Sequence, residues 1–348
     1  MNSTASAASV PSQDVRICGF LVYLILNLFG LASNLFVLFV FFKSRKQLFK
    51  TAFTLIAVQL LISDLLTHLV QLYVAVPLTL YGTNIYGDTL FHYLPAFFDT
   101  VAYNGTLLFI FLISVNLFTL FLAKRVNYVF FSRPNVFLTI ICTWSYIIIF
   151  ISTITFGGCK KTFKAEKFYF SLYCSPKTTE LWAQTLQMIL RYQSYVLPCV
   201  MFGIYVVLLF YIQFGFDYTF VGCRPVKVTV VQSNREDVKV KRKTEVRLLV
   251  QSVLICGFLE LQTLAFTFFP RMGLVGENAL YMNIVQNSIS ILNATVHSLV
   301  FLFCNTEVRV SSLKILASIM RFMLGDKKPK TRVTIFKNST SPKPSQAF

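Results

Sequence analysis

Six ionisable side chains interrupt stretches of the sequence that are otherwise apolar. They are Asp64, His68, Asp99, Arg191, Glu260 and His297. Carboxylates can hold a cation, and an imidazole offers a nitrogen ligand or a proton. On helices, Asp64 and His68, four residues apart, share one face, as do Asn293 and His297. An ionisable group in a membrane segment is costly and marks a functional site by default, with helix–helix hydrogen bonding as the structural alternative.

Signatures of catalysis are missing from the sequence. It contains no Gly-rich phosphate loop, no HExxH or GxSxG motif, and no Cys/His spacing typical of a metal site. The three histidines fall on different apolar stretches. We therefore expect no enzyme activity, no cofactor and no bound metal.

Membrane helices must position these residues. The 348-residue chain is 55% apolar and 13% charged, with a mean hydropathy of +0.65, whereas soluble domains average about 25% charged residues. A helix needs about 20 apolar residues to cross a bilayer, where lipid offers the backbone no other partner. Seven stretches qualify: 17–42, 51–76, 95–121, 135–156, 186–214, 246–268 and 279–303. The predicted fold is all-α, a polytopic seven-transmembrane helix bundle.

Basic residues set the orientation of the bundle. Of the 32 Lys and Arg residues, 24 fall on one side if the N-terminus is outside, as the positive-inside rule requires. We expect a plasma-membrane protein with an extracellular N-terminus (1–16), a receptor domain (17–303) and a cytoplasmic tail (304–348). Asn2 is then a glycosylation site. The +18 net charge indicates contact with anionic lipid and cytoplasmic partners rather than nucleic acid.

Two cysteines share the outer loop between the fourth and fifth spans. Because that side is oxidising, Cys159 and Cys174 are expected to form a disulfide, with two free thiols as the alternative. In the tail, residues 306–322 predict an amphipathic eighth helix at the membrane interface.

The order and spacing of several motifs resemble rhodopsin-like G-protein-coupled receptors, and more closely the nematode serpentine chemoreceptors of class X. The resemblance runs from about residue 17 to residue 309. The motifs that carry it are Gly30-Leu-Ala-Ser-Asn34, Leu61-Ile-Ser-Asp64, Val76-Pro77-Leu-Thr, Trp144, Pro198, Glu245-Val-Arg-Leu-Leu-Val-Gln251-Ser252 and Asn305-Thr-Glu307-Val-Arg309. It implies a chemosensory receptor that transmits the binding of an extracellular small molecule or peptide to a heterotrimeric G protein.

The chain departs from the family pattern at the positions that would switch the receptor. Leu117 replaces the arginine of the third span, Lys124 a proline, and His297-Ser-Leu-Val-Phe301 the Asn-Pro-x-x-Tyr motif. His92 replaces the cysteine that usually bridges to the second outer loop, and the sixth span lacks the Trp-x-Pro motif. By resemblance, the G-protein face comprises Asn116, Leu117, Lys124, Arg125, Lys241, Arg242, Lys243 and Arg247. The basic members serve equally well as topology signals and lipid contacts.

Ligand-binding candidates lie towards the outer ends of the spans. By family position, Asp99 would hold a ligand ammonium; the alternative is an internal ion pair with Arg191 or Arg271. Glu260, together with Gln262, is a candidate to line the cavity, or else is protonated and hydrogen-bonded inside the bundle. The predicted ligand-binding set is Asp99, Tyr103, Arg191 and Glu260.

A polar network is expected at the midplane of the bundle. Its members are Asn34, Asp64, Thr106, Asn293 and His297. By family position they resemble a buried sodium site, but His297 departs from that pattern. We expect a hydrogen-bonded network without metal, with a proton-linked switch as a second hypothesis.

Two functions compete with a signalling receptor. The buried carboxylates and His297 would also suit an ion or proton path in a secondary transporter or channel. The missing arginine at position 117 would suit a seven-span protein that does not signal.

Overall fold

The computed structural model describes residues 10–49, 51–87, 89–174, 180–214 and 235–323. At residues 47, 212–214, 235–246, 248, 322 and 323 only the backbone is described. The helices and strands along the chain are α1 (Gln13–Lys43), α2 (Arg45–Leu48), α3 (Ala52–Val70), α4 (Val76–Tyr81), α5 (Leu90–Leu122), α6 (Lys124–Phe130), α7 (Arg133–Phe156), β1 (Cys159–Lys164), β2 (Tyr169–Cys174), α8 (Leu181–Phe214), α9 (Arg235–Phe268), α10 (Glu277–Cys304) and α11 (Thr306–Met323).

Seven helical segments of the described chain are long and apolar enough to cross a membrane, which confirms the predicted fold class. In order, spans one to seven are formed by α1, α3 with α4, α5, α7, α8, α9 and α10. Spans two and three are the most buried, and spans four and five the least. Many side chains of the less buried spans are both apolar and exposed, which suits contact with lipid tails.

Span two contains a turn of π-helix at Gln71–Ala75 between α3 and α4. Pro77 lacks the N–H that would bond to the carbonyl of Tyr73, four residues earlier. The Tyr86 hydroxyl instead donates a hydrogen bond of 2.6 Å to this carbonyl, and the Tyr86 ring stacks on the ring of Tyr73. Partial burial raises the pKa of Tyr86, which keeps the hydroxyl a donor. A residue of the loop after span two thus replaces the hydrogen bond that Pro77 removes from the helix.

Spans one, two and seven approach closely at Gly30. A Cβ atom there would collide with the His68 ring and with the Thr295 hydroxyl. Only a glycine leaves room for these side chains, so Gly30 determines how near span one lies to the polar centre of the bundle.

The loop between spans four and five is an antiparallel β-hairpin, which the all-α prediction did not include. Cys159 and Cys174 are register partners and form a disulfide at its base. The turn ends at Phe168, whose φ of 58° is unusual for a bulky residue. The surroundings hold it there: its side chain is buried, and its carbonyl accepts a hydrogen bond of 3.1 Å from the Tyr23 hydroxyl. The disulfide therefore closes the base of the hairpin, and the hydrogen bond from Tyr23 holds its turn against span one.

The chain divides into two compact units between Ser312 and Leu313. In the first unit, the Asn305 side chain caps α11 by accepting hydrogen bonds from the amides of Glu307 and Val308. In the second unit, the helix continues to Met323 with exposed apolar side chains that include Leu316 and Ile319. The helix predicted after span seven is therefore present.

Candidate functional site

A cavity of about 310 Å³ lies among spans two, three, five, six and seven. Lys161 of β1 and Phe170 of β2 line it on the hairpin side. The predicted residues Asp99, Tyr103 and Arg191 also line it. Its size is at the lower end of the range for small-molecule pockets. We call it the outer cavity.

Asp99 forms an ion pair with Lys161 of the hairpin. Asp99 therefore pairs with neither Arg191 nor Arg271, the internal partners considered from the sequence. The Lys161 ammonium also lies 5.4 Å from the ring centre of Phe170. Because a buried carboxylate requires a partner, this pair both neutralises Asp99 and ties the hairpin to span three.

One wall of the outer cavity is rich in hydrogen-bond donors. Arg191, Ser194 and Tyr195 follow one another at helical spacing on span five and share a face. Tyr103 of span three lines the same cavity. The Ser194 hydroxyl donates to the carbonyl of Leu190 at 3.0 Å.

Amide side chains connect the helices on the other side of the cavity. Gln71 of span two and Asn287 of span seven exchange two hydrogen bonds of 3.3 and 3.2 Å. Gln262 of span six accepts a bond of 2.7 Å from Asn293 and donates one of 3.1 Å to Ser290. The polar residues of span seven recur every three or four positions. This periodicity is visible in the sequence and indicates that they share one helix face.

The structure does not place Glu260 at the cavity, contrary to expectation. Two residues along a helix correspond to about 200° of rotation, so Gln262 lines the cavity while Glu260 points away from it. Glu260 is half-buried, and its Oε1 atom has no hydrogen-bond partner among the described residues. The hydrogen-bonded alternative is therefore not seen at that atom either.

Asp64 forms the floor of the outer cavity. Its Oδ2 atom accepts a bond of 2.9 Å from His297 Nδ1, and its Oδ1 atom one of 3.3 Å from Thr106. Asp64 and His297 are both fully buried. Of the other two expected members, Asn293 bonds to Gln262, and Asn34 donates to the carbonyl of Ala294 at 3.2 Å. The predicted network thus divides into a central triad and two separate links.

The predicted network supplies both oxygen atoms and an imidazole nitrogen. A hard cation needs oxygen ligands, and the buried Oδ1 atoms of Asn34 and Asn293 have no partner among the described residues. His297 places its Nδ1 atom 2.9 Å from Oδ2 of Asp64. The described residues also contain no group of three acidic, His or Cys side chains able to hold a metal. The network without metal therefore stays a prediction.

His68 belongs to a different contact from Asp64, although the two are one helical turn apart. Its Nδ1 atom lies 3.1 Å from Oδ1 of Asn27 on span one. Asn27 in turn donates to the carbonyl of Tyr23 at 2.8 Å. His68 therefore connects spans one and two and takes no part in the triad.

A second cavity of about 370 Å³, the inner cleft, lies at the opposite ends of the spans. The predicted residues Asn116, Leu117 and Arg247 line it. So does Gln251, which the sequence indicated only as part of a family motif. Gln251 is fully buried, yet neither polar atom of its side chain has a partner among the described residues. Unpartnered buried amides are rare and call for a physical explanation.

Lys124 and Arg125 line neither of these two cavities. Lys124 and Arg125 lie exposed on α6. The backbone of α9 includes Lys241, Arg242 and Lys243, but their side chains are outside the described residues, as is Asn2 altogether.

Comparison with solved structures identifies the fold. The crystal structure of squid rhodopsin is similar, with a TM-score of 0.70 over 90% of this chain and 88% of that chain, at 13% sequence identity. At that identity the likeness concerns the fold alone, which is that of a rhodopsin-like receptor. A search of curated proteins finds no match.

The sequence itself gives the family. Residues 24–305 match the family described as serpentine type 7TM GPCR chemoreceptor Srx. The chain belongs to this family and is a seven-transmembrane chemosensory G-protein-coupled receptor. The resemblance stated from the sequence is confirmed.

Proposed function

We propose that this receptor binds a small extracellular molecule in the outer cavity and activates a heterotrimeric G protein at the inner cleft. The main support is the presence of two polar cavities at opposite ends of one bundle, with Asp64 and His297 joining spans two and seven between them. A ligand that prefers one arrangement of these helices would shift the population towards it.

We further propose that the receptor lies in the plasma membrane with the hairpin outside. A disulfide such as that between Cys159 and Cys174 persists in an oxidising compartment. The basic excess falls on the opposite side, as the positive-inside rule requires. Both observations support an N-terminus outside and a C-terminus in the cytoplasm.

Gln251 and Arg247 are the residues we assign to partner recognition in the inner cleft. Leu117 offers no hydrogen bond, so the usual arginine of span three has no equivalent at that position. A partner helix that enters by its C-terminus presents unpaired carbonyls and a carboxylate. The buried amide of Gln251 and the guanidinium of Arg247 are suitable donors for these acceptors.

The test is a ligand screen in cells that express the receptor with a promiscuous G protein. We expect at least one small molecule to activate the wild-type receptor. Leu117→Arg serves as the comparison, because it restores the family residue without changing the outer cavity.

Two outcomes would contradict the proposal. Ligand-dependent flux through purified receptor in liposomes, without guanine-nucleotide-sensitive binding, would favour a transporter or channel. Signalling by Leu117→Arg alone, with surface expression equal to wild type, would identify the natural chain as a receptor that does not signal.

A further inference from the structure

We infer that the ligand of the outer cavity is a small organic acid whose anionic group binds at Arg191. This inference rests on the proposed function, since it names the class of ligand for the same cavity. The observations that carry it are the charges of the lining residues and the partners that each charge already has.

Both carboxylates of the outer cavity already have partners. Asp99 is paired with Lys161, and Asp64 accepts hydrogen bonds from His297 and Thr106. An amine would have to displace one of these donors to reach a carboxylate. The position that the family pattern assigns to a ligand ammonium is therefore taken by a lysine of the receptor itself.

The cations of the cavity are not balanced in the same way. Lys161 is neutralised by Asp99, whereas Arg191 has no carboxylate partner among the residues that the structure describes. Arg191 lies exposed at the cavity, one helical turn before Tyr195 on span five. A guanidinium without a carboxylate partner is a strong donor to an anionic ligand, because it binds a carboxylate through paired hydrogen bonds.

The surroundings of Arg191 favour oxygen acceptors as well. Tyr195 and Tyr103 place hydroxyl groups at the same cavity. Charge-assisted bonds from the guanidinium, supported by neighbouring hydroxyls, form a site for the oxygens of an acid. Phe170 and Phe266 line the cavity too and offer contacts for an apolar body.

The experiment measures the thermal unfolding of the purified full-length receptor in lipid nanodiscs. The probes are benzoate and hexanoate, with their amides and with benzylamine and hexylamine as controls of similar shape. Methanesulfonate distinguishes a carboxylate site from a general anion site. We expect the acids to raise the midpoint of unfolding, and the amides and amines to leave it unchanged.

Variants locate the anion. We expect Arg191→Gln to weaken acid binding about ten- to a hundredfold, the effect of losing a hydrogen bond to a charged group. Arg271→Gln is the matched control, because Arg271 does not line the outer cavity. An equal loss in both variants would show long-range attraction and overturn the assigned site.

Other outcomes would also overturn the inference. They are protection by the amines that disappears in Asp99→Asn, acid protection that is unchanged in Arg191→Gln, and no protection by any acid. The receptor proposal fails separately, if no ligand produces a G-protein response while the acids still bind through Arg191.

Discussion

Replacing His297 with asparagine would remove the imidazole that donates to Asp64 and leave a carboxylate in a fully buried position. The two interacting atoms are 2.9 Å apart. Removing the imidazole leaves a buried group of Asp64 without its hydrogen-bond partner, which costs about 1–3 kcal/mol. We expect the free energy of unfolding to fall by this amount in sodium-free buffer.

The same substitution provides an amide oxygen, which is a suitable ligand for a hard cation. We therefore expect sodium to restore much of the lost stability in His297→Asn and to leave the wild type unchanged. The measurement is equilibrium unfolding of the purified receptor in mixed micelles, with sodium chloride compared with N-methyl-D-glucamine chloride.

Two controls make the reasoning refutable. A double-mutant cycle with Asp64→Asn isolates the coupling between the two side chains. His68→Asn is the matched change, since His68 contacts the neutral Asn27 and should lose only about 0.5–1.5 kcal/mol. A coupling energy near zero, or a wild-type receptor that sodium stabilises as strongly as the variant, would refute the pairing of His297 with Asp64 in a network without metal.

Three further changes test other parts of the structure. Gln251→Leu removes an unpaired buried amide worth about 1–3 kcal/mol, so we expect a higher unfolding temperature together with weaker G-protein activation. Replacing Cys159 and Cys174 with serine opens a loop with a sequence separation of 15, and we expect a loss of about 3 kcal/mol in the free energy of unfolding. Gly30→Val forces a side chain into the space of His68, and we expect overpacking to cost at least about 1–3 kcal/mol and surface expression to fall.

The grouped predictions have their own controls. Gly203→Ala is the control for Gly30, because a Cβ atom at Gly203 meets nothing within 4 Å. Gln251→Leu separates two explanations by the signs of its effects. A purely structural amide would lose stability and activation together, whereas the proposed recognition role predicts that the two move in opposite directions.

The spans were predictable because crossing a bilayer imposes a length and a composition that can be read locally. The boundaries were less certain. The third span was placed from residue 95, whereas α5 begins at Leu90 and includes Pro95, since a proline near the start of a helix removes few hydrogen bonds. Periodicity also failed to orient the sixth span. Lipid-facing and core-facing sides are both apolar there, so the sequence could not show that Gln262, and not Glu260, lines the cavity.

The sequence by itself determined that this is a seven-span membrane protein, which side carries the basic residues, and which family it belongs to. Hydrophobicity, charge and motif order are local properties, so the folded chain is not needed to read them. The tertiary structure decided which polar side chains pair with one another. Lys161 meets Asp99 across 62 residues, and His297 meets Asp64 across 233. Those pairings depend on helix rotation and on the hairpin, and they leave Arg191 as the cation available to a ligand.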